Sequence, residues 1–364
     1  NSVIERIDDR LVAAHFYDPL HGHIFTTMQR LIERGQLANP VTLKSFFANN
    51  TKLNNNTQSI YIPTDTDFET LLSIVEPHLK NTLTFRWAAR AKSYDLYPRG
   101  GHYVLDRGMG NQKLINTLRS QNTEVEVVFN NQQTLAELAG RIAQQIEPDS
   151  TSLLQAFTNK EFLKHQDLSP EEALTLFIPN TYSMYWNTDA SSFANRMAKE
   201  SERFWNQDRE ARRQILKMSR AEIISLASIV YQESKQPDER PRVAGVYLNR
   251  LKRGMKLQAD PTVVYAMKKK ANDFDLVIRR VLYKDLKIKS PYNTYRNKGL
   301  PPGPICMPDI DAIDAVLQAE NHNFIYFVVD PYRPGYHLFA RTHTEHTANK
   351  RVYTRWLNRN GIMR

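Results

Sequence analysis

The sequence contains one cysteine, Cys306, in 364 residues. No intrachain disulfide can form, and a structural zinc held by several cysteines is excluded. The redox compartment stays open on this count. No stretch of about 18 apolar residues occurs, so the sequence offers no membrane-spanning helix. No secretory-signal pattern opens it. No G-x-x-x-x-G-K-[ST] loop occurs, so a P-loop nucleotide motor is missing. Acidic residues are the scarcer charge: 39 Asp and Glu against 49 Lys and Arg leave a net charge of +10. That excess is uneven. Residues 1–50 carry five groups of each sign, whereas the last 24 residues carry six basic groups against Glu345 alone. A basic surface suits any polyanion, nucleic acid or acidic glycan alike. The basic end reads equally well as a solvated amphipathic helix with Val352, Trp356 and Leu357 turned inward.

What is present describes a globular chain. Hydrophobic residues make up 41% and aromatics 10%, and the length calls for two or three domains. Residues 1–50 read as a short all-helical segment of amphipathic pattern. The asparagine-rich stretch NNTKLNNNT, residues 49–57, marks a linker over residues 51–58. Residues 59–122 follow the order β-α-α-β: SIYIP as a strand, a helix capped by Thr66 or Asp67, a second helix from Asn81, and GGHYVLD as a strand. Residues 123–364 form a larger α+β domain, entered by a strand at Val125–Phe129 and a helix from Thr134. The fold class is α+β.

The most informative stretch is LASIVYQESKQPDE, residues 226–239. Ser219 and Glu222 make an S-x-x-E capping box that starts a helix. Ile223, Leu226, Ala227, Ile229 and Val230 then mark a buried face. Glu233 projects from that face at the helix end. Partial desolvation and the negative end of the helix dipole both disfavour its ionised form. A general acid at neutral pH needs this setting. A solvated last-turn glutamate is the plainer alternative.

Downstream come LQADPTVVY (257–265), SPYNTYRNKGLPPGPI (290–305), FIYFVVD (324–330) and HLFARTHTEH (337–346). In this order they resemble the YceG-like (MltG) family of endolytic murein transglycosylases, over about Ser59 to Gly361. The resemblance implies that Glu233 is the catalytic acid, the second glutamate of an E-x-E pair. The first glutamate is replaced here by Tyr231, which removes a negative neighbour. It further implies cleavage of peptidoglycan between N-acetylmuramic acid and N-acetylglucosamine, with 1,6-anhydro ends and no cofactor. The expected partners are peptidoglycan glycan strands, with peptidoglycan synthases as further candidates. The expected location is the bacterial cell envelope, on the periplasmic side of the inner membrane. The family's usual N-terminal anchor is not among these residues. The family has also been labelled aminodeoxychorismate lyase, but no lysine with a phosphate loop supports pyridoxal phosphate here.

The implied substrate residues are Gln258, Asp260, Tyr292, Asn293, Thr294, Tyr295, Gly303, His337, His346 and Glu239. Several carry a plainer reading. Asp260 before Pro261 fits a helix N-cap. Gln258, two residues earlier on an extended segment, would face the same way as Asp260. Asn293 and its tyrosines offer amide and aromatic groups to sugar. Gly299 and Gly303, with Pro301, Pro302 and Pro304, make a loop that is stiff yet free in backbone angle. Glu239 is either a second carboxylate or a helix-start charge. His343 and His346 have loose H-x-x-H spacing, and hydrogen bonding in the cleft is expected of His337 and His346 rather than metal ligation. Phe177–Tyr182 is expected to be a loop lining the cleft.

Two further resemblances shape the expectations. The β-α-α-β order resembles a LysM-like module, either a binder of N-acetylglucosamine chains or a plain subdomain. FYDPLHGHIF and NPVTL in residues 1–50 resemble part of a DnaB-type replicative helicase N-terminal domain, by fusion or mis-joining. Two other functions remain in view. One is a glycan-binding envelope protein with an inactive cleft, and the other is a nucleic-acid-associated protein acting through residues 1–50.

Overall fold

The computed structural model describes residues 57–360, except Lys80 and Arg107, together with Phe25, Thr26, Met28 and Gln29. The helical reading of residues 1–50 and the start of the linker lie outside the described residues. The described chain divides between Asn122 and Thr123, with Pro63–Asp65 and Gly100–His102 grouped with the larger unit.

The smaller unit contains β1 (Thr57–Ile62), α1 (Phe68–Val75), α2 (Thr82–Ala91), β2 (Gly101–Asp106) and α3 (Asn111–Ser120). β1 begins within the stretch read as linker and pairs with β2. Its alternation buries Ile60 and Ile62 and exposes Tyr61. Asp67, not Thr66, caps α1 by accepting from the Thr70 amide at 2.7 Å, and Asn81 caps α2 in the same way. The expected β-α-α-β order is present, and α3 extends it by a third helix. Leu114, Ile115 and Leu118 of α3 close the core around Leu71, Phe85 and Tyr103.

The larger unit holds two cores. The first is built on β3 (Glu124–Phe129) and β4 (Asn180–Tyr185), which pair antiparallel with Glu124 opposite Tyr185. Against them lie α4 (Leu135–Ala143), α5 (Ser150–Phe157) and α7 (Ala190–Phe204); the short α6 (Lys160–His165) follows α5. Phe177 and Ile178 are buried and Asn180–Tyr185 is strand. The loop expected over Phe177–Tyr182 is therefore core and sheet, because its apolar residues have an interior to fill.

The second core positions the candidate site. It contains α8 (Gln207–Leu216), α9 (Arg220–Glu233), α10 (Arg240–Lys252), α11 (Asp260–Ala271) and α12 (Ile310–Leu317). The hairpin β5 (Tyr326–Val329) and β6 (His337–Ala340) and the helix α13 (His343–Arg359) complete it. α9 starts with the capping box at Ser219 and Glu222. Every residue from Ile223 to Val230 is buried, so α9 is surrounded by protein rather than buried on one face. It packs on α10, α11 and α12. Ser228, buried at its centre, donates to the Ser225 carbonyl and accepts from the Ile305 amide at 3.0 Å. The proline-rich loop is thus tied directly to the middle of α9. α13 buries Leu357 and half-buries Val352 and Trp356, as the amphipathic reading requires.

Candidate active site

Glu233 is the last residue of α9. The Tyr247 hydroxyl, from α10, donates to its Oε1 at 2.7 Å. Desolvation pushes the Glu233 carboxyl up to about 7, and the nearby Asp260 carboxylate adds to the rise. The Tyr247 hydrogen bond, His337 and Arg250 pull the other way. The negative neighbour missing at Tyr231 is therefore supplied by Asp260, from another helix. Tyr231 itself is half-buried beside two cations, with the Arg240 guanidinium 5.1 Å and the Lys235 ammonium 5.3 Å from its ring.

Asp260 does not cap its helix. Ala259 occupies the N-cap position, and Asp260 is the first residue of α11. Its Oδ1 instead accepts from the Tyr295 hydroxyl at 2.5 Å. Gln258 has φ 49°, so it lies in the left-handed region and not on an extended segment. The alternation that put it on one side with Asp260 does not apply, although its side chain is exposed.

Of the YNTY motif only Tyr295 reaches toward Asp260. Asn293 is fully buried. Its amide donates to the carbonyls of Leu286 and Ile288, and its Oδ1 accepts from the Tyr295 amide. Thr294 is buried against Thr262 and accepts from the Ala259 amide. Tyr292 is buried, with its ring 4.7 Å from that of Tyr265. The motif braces the start of α11 from within. Gly303 is required by a close approach: a Cβ there would sit 2.0 Å from the Glu171 carbonyl oxygen.

Glu239 is buried and holds His337. It accepts from the His337 amide at 2.7 Å and lies 2.8 Å from its Nδ1. A proton on Nδ1 leaves Nε2 as the acceptor. Glu239 makes no capping hydrogen bond to α10. His346 stacks on Tyr326 at 5.0 Å, and burial lowers its pKa. His343 meets the same ring edge-on at 6.0 Å. Among the described residues no group of three or more His, Cys, Asp or Glu is placed to hold a metal ion.

Glu233 and Asp260 share a cleft of about 760 Å³, whose lining includes Asn131, Gln133, Tyr265, Lys268 and Tyr353. Tyr247 and Arg250 escaped the sequence reading. Both lie inside α10, and only packing reveals that Tyr247 faces Glu233. Arg250 is buried and donates to the carbonyls of Ile325 and Leu257, both at 2.6 Å.

Tyr247→Phe removes a hydrogen bond that favours the ionised Glu233, so the carboxyl pKa rises further. If the protonated acid is the active form, the alkaline limb of the pH–rate profile shifts to higher pH. A shift to lower pH, or none, contradicts this role for Tyr247.

A family model described as the YceG-like family matches residues 60–352. A second, described as the DnaB-like helicase N terminal domain, matches residues 1–75, running past the expected boundary into α1. An endolytic murein transglycosylase of Bacillus subtilis is 27% identical over 316 residues, which is 82% of this chain and 85% of that protein. A protein of the same name from Streptococcus pneumoniae is 27% identical over 303 residues, 74% of this chain. The match spans about half of the streptococcal protein, 53% of its length. A crystal structure of a YceG-like protein from Listeria monocytogenes superposes with TM-score 0.53 at 25% identity, covering 81% of this chain and 99% of that one. With a match that runs from residue 60 to residue 352, across the helix ending at Glu233 and its cleft, this protein belongs to the YceG-like family.

Proposed function

We propose that the chain is a peptidoglycan lytic transglycosylase that cuts glycan strands internally, between N-acetylmuramic acid and N-acetylglucosamine. The observation that carries this reading is the half-buried Glu233 carboxyl, poised near neutrality beside Asp260 in an open cleft. The names of the relatives support the same activity. Glu233 protonates the leaving glycosidic oxygen. Its carboxylate then accepts the proton of the muramyl C6 hydroxyl as that oxygen attacks C1, closing a 1,6-anhydro ring. No water is consumed. A pKa near 7 serves both halves of the cycle at neutral pH. Asp260, oriented by Tyr295, favours positive charge developing at C1. The second carboxylate of an ordinary glycosidase is not required as a base or nucleophile.

The location that fits this substrate is the cell envelope, with peptidoglycan synthases as further partners. No helix among the described residues is long and apolar enough to cross a membrane. The smaller unit is assigned in this reading to a LysM-like module. Mass spectrometry of digested sacculi decides the reaction: the proposal expects 1,6-anhydro ends. Reducing muramic ends alone would make the enzyme a hydrolase and require a water-activating base.

Residues 1–56 are expected to be dispensable for cleavage, because the YceG-like match begins at residue 60. A chain starting at Thr57 should cut sacculi at the full-length rate. A folded truncation without activity would contradict this division.

A further inference from the structure

The cleft carries positive charge that the proposed reaction does not use. Lys268, Arg279 and Arg280 line the same cavity as Glu233 and Asp260. Lys268 follows Asp260 by eight residues on α11, so it lies on the same face, about 12 Å further along the axis. Val264 and Tyr265 form the wall between them. The Lys268 ammonium donates to Gln133 Oε1 at 2.9 Å and to the Phe274 carbonyl at 2.7 Å. Both acceptors are neutral, so the charge is oriented without being cancelled. Arg279 and Arg280 are exposed, and no described residue pairs with either guanidinium. They lie on an irregular segment whose residues from Ile278 to Val281 all line the cleft. Long irregular segments beside a cleft are commonly functional.

Resting on the reading of this cleft as a glycan site, we infer that Lys268, Arg279 and Arg280 form a subsite for carboxylates carried by the muramyl residues of the strand. Guanidinium forks match carboxylates in geometry and charge. The acidic end of the cleft, at Glu233 and Asp260, repels the same groups. The two ends together set which muramyl residue stands at the acid, because a strand is seated with its acidic substituents away from the reacting bond. Two sources supply such a carboxylate: the stem peptide, or the lactyl group of a strand from which the peptide has been removed.

Binding is measured separately from cleavage by sedimenting a Glu233→Gln chain with purified sacculi. The sacculi are used native and after carbodiimide-driven amidation of their carboxylates. Arg279→Ala with Arg280→Ala in this background should weaken binding to native sacculi about five- to tenfold, as expected for two exposed ion pairs. It should change nothing on amidated sacculi. Lys284→Ala with Lys289→Ala removes the same charge from the same segment and controls for general basicity; binding should stay within about twofold. Amidase removes the peptide cross-links and dissolves the sacculus, so the source is identified by binding of the soluble, peptide-free strands to the immobilised chain. Retained arginine dependence assigns the lactyl carboxylate, and lost dependence assigns the stem. Equal binding by the arginine variant and its parent, or an equal loss in the lysine variant, overturns the subsite. Release of anhydro ends by the unsubstituted chain is scored in parallel. Its absence counts against the proposed reaction and leaves the binding comparison standing.

Discussion

Glu233→Gln is expected to slow glycan cleavage by roughly 10²–10⁴-fold, the usual cost of losing a positioned general acid. The amide keeps the shape of the side chain and can still accept from the Tyr247 hydroxyl, but it has no proton to transfer. The variant should remain folded and should be more stable than the parent in alkaline solution. The carboxyl pKa is raised on folding, from an ordinary 4.5 to about 7. Such a group contributes its stability below pH 4.5 and loses it as pH rises through 7. Above pH 7 the ionised form disfavours the folded state by on the order of 3 kcal/mol. Denaturation of both chains at pH 4 and pH 8 should show the advantage of Gln at pH 8 only. Normal cleavage of sacculi by Glu233→Gln would remove Glu233 from the mechanism altogether.

Asn293→Ala is expected to destabilise the fold by on the order of 3 kcal/mol, since several buried polar groups lose their partners together. The carbonyls of Leu286 and Ile288 and the amide of Tyr295 all depend on this one side chain. Turnover per folded molecule should change far less, because Asn293 is fully buried and cannot meet sugar. Urea titration gives the stability, and kinetics normalised to folded fraction give the turnover. An unchanged midpoint with a large fall in kcat would return Asn293 to the substrate side.

These two residues mark how far sequence reasoning reached. Glu233 was legible because its signal is local. A capping box sets the start of α9, apolar spacing sets its buried side, and a carboxylate at the end of such a helix has few ways to stay solvated. The helix starts near Asp67, Asn81 and Thr134 were legible for the same reason, and in the structure each of these side chains bonds a backbone amide three residues away. Asn293 was misread because an amide next to two tyrosines looks the same in sequence whether it faces a sugar or two carbonyls. Asp260 carried two readings, a cap and a substrate group, because Asp-Pro fits an N-cap as readily as the first helical turn; Ala259 holds the cap position, which removes the first of them.

The sequence by itself determined the α+β class, the buried helix that ends at Glu233, the order of elements in the smaller unit as far as β2, and the YceG-like blocks. Each follows from periodicity or short-range hydrogen bonding, which a few consecutive residues can specify. Only the tertiary structure decided which carboxylate stands beside Glu233, that Tyr247 donates to it, and that Glu239 serves His337. These contacts join residues separated by 14 to 98 positions, and burial sets their strength. Desolvation is the largest cause of the raised pKa of Glu233. It exists only once α10, α11 and the β5–β6 hairpin have closed around the end of α9.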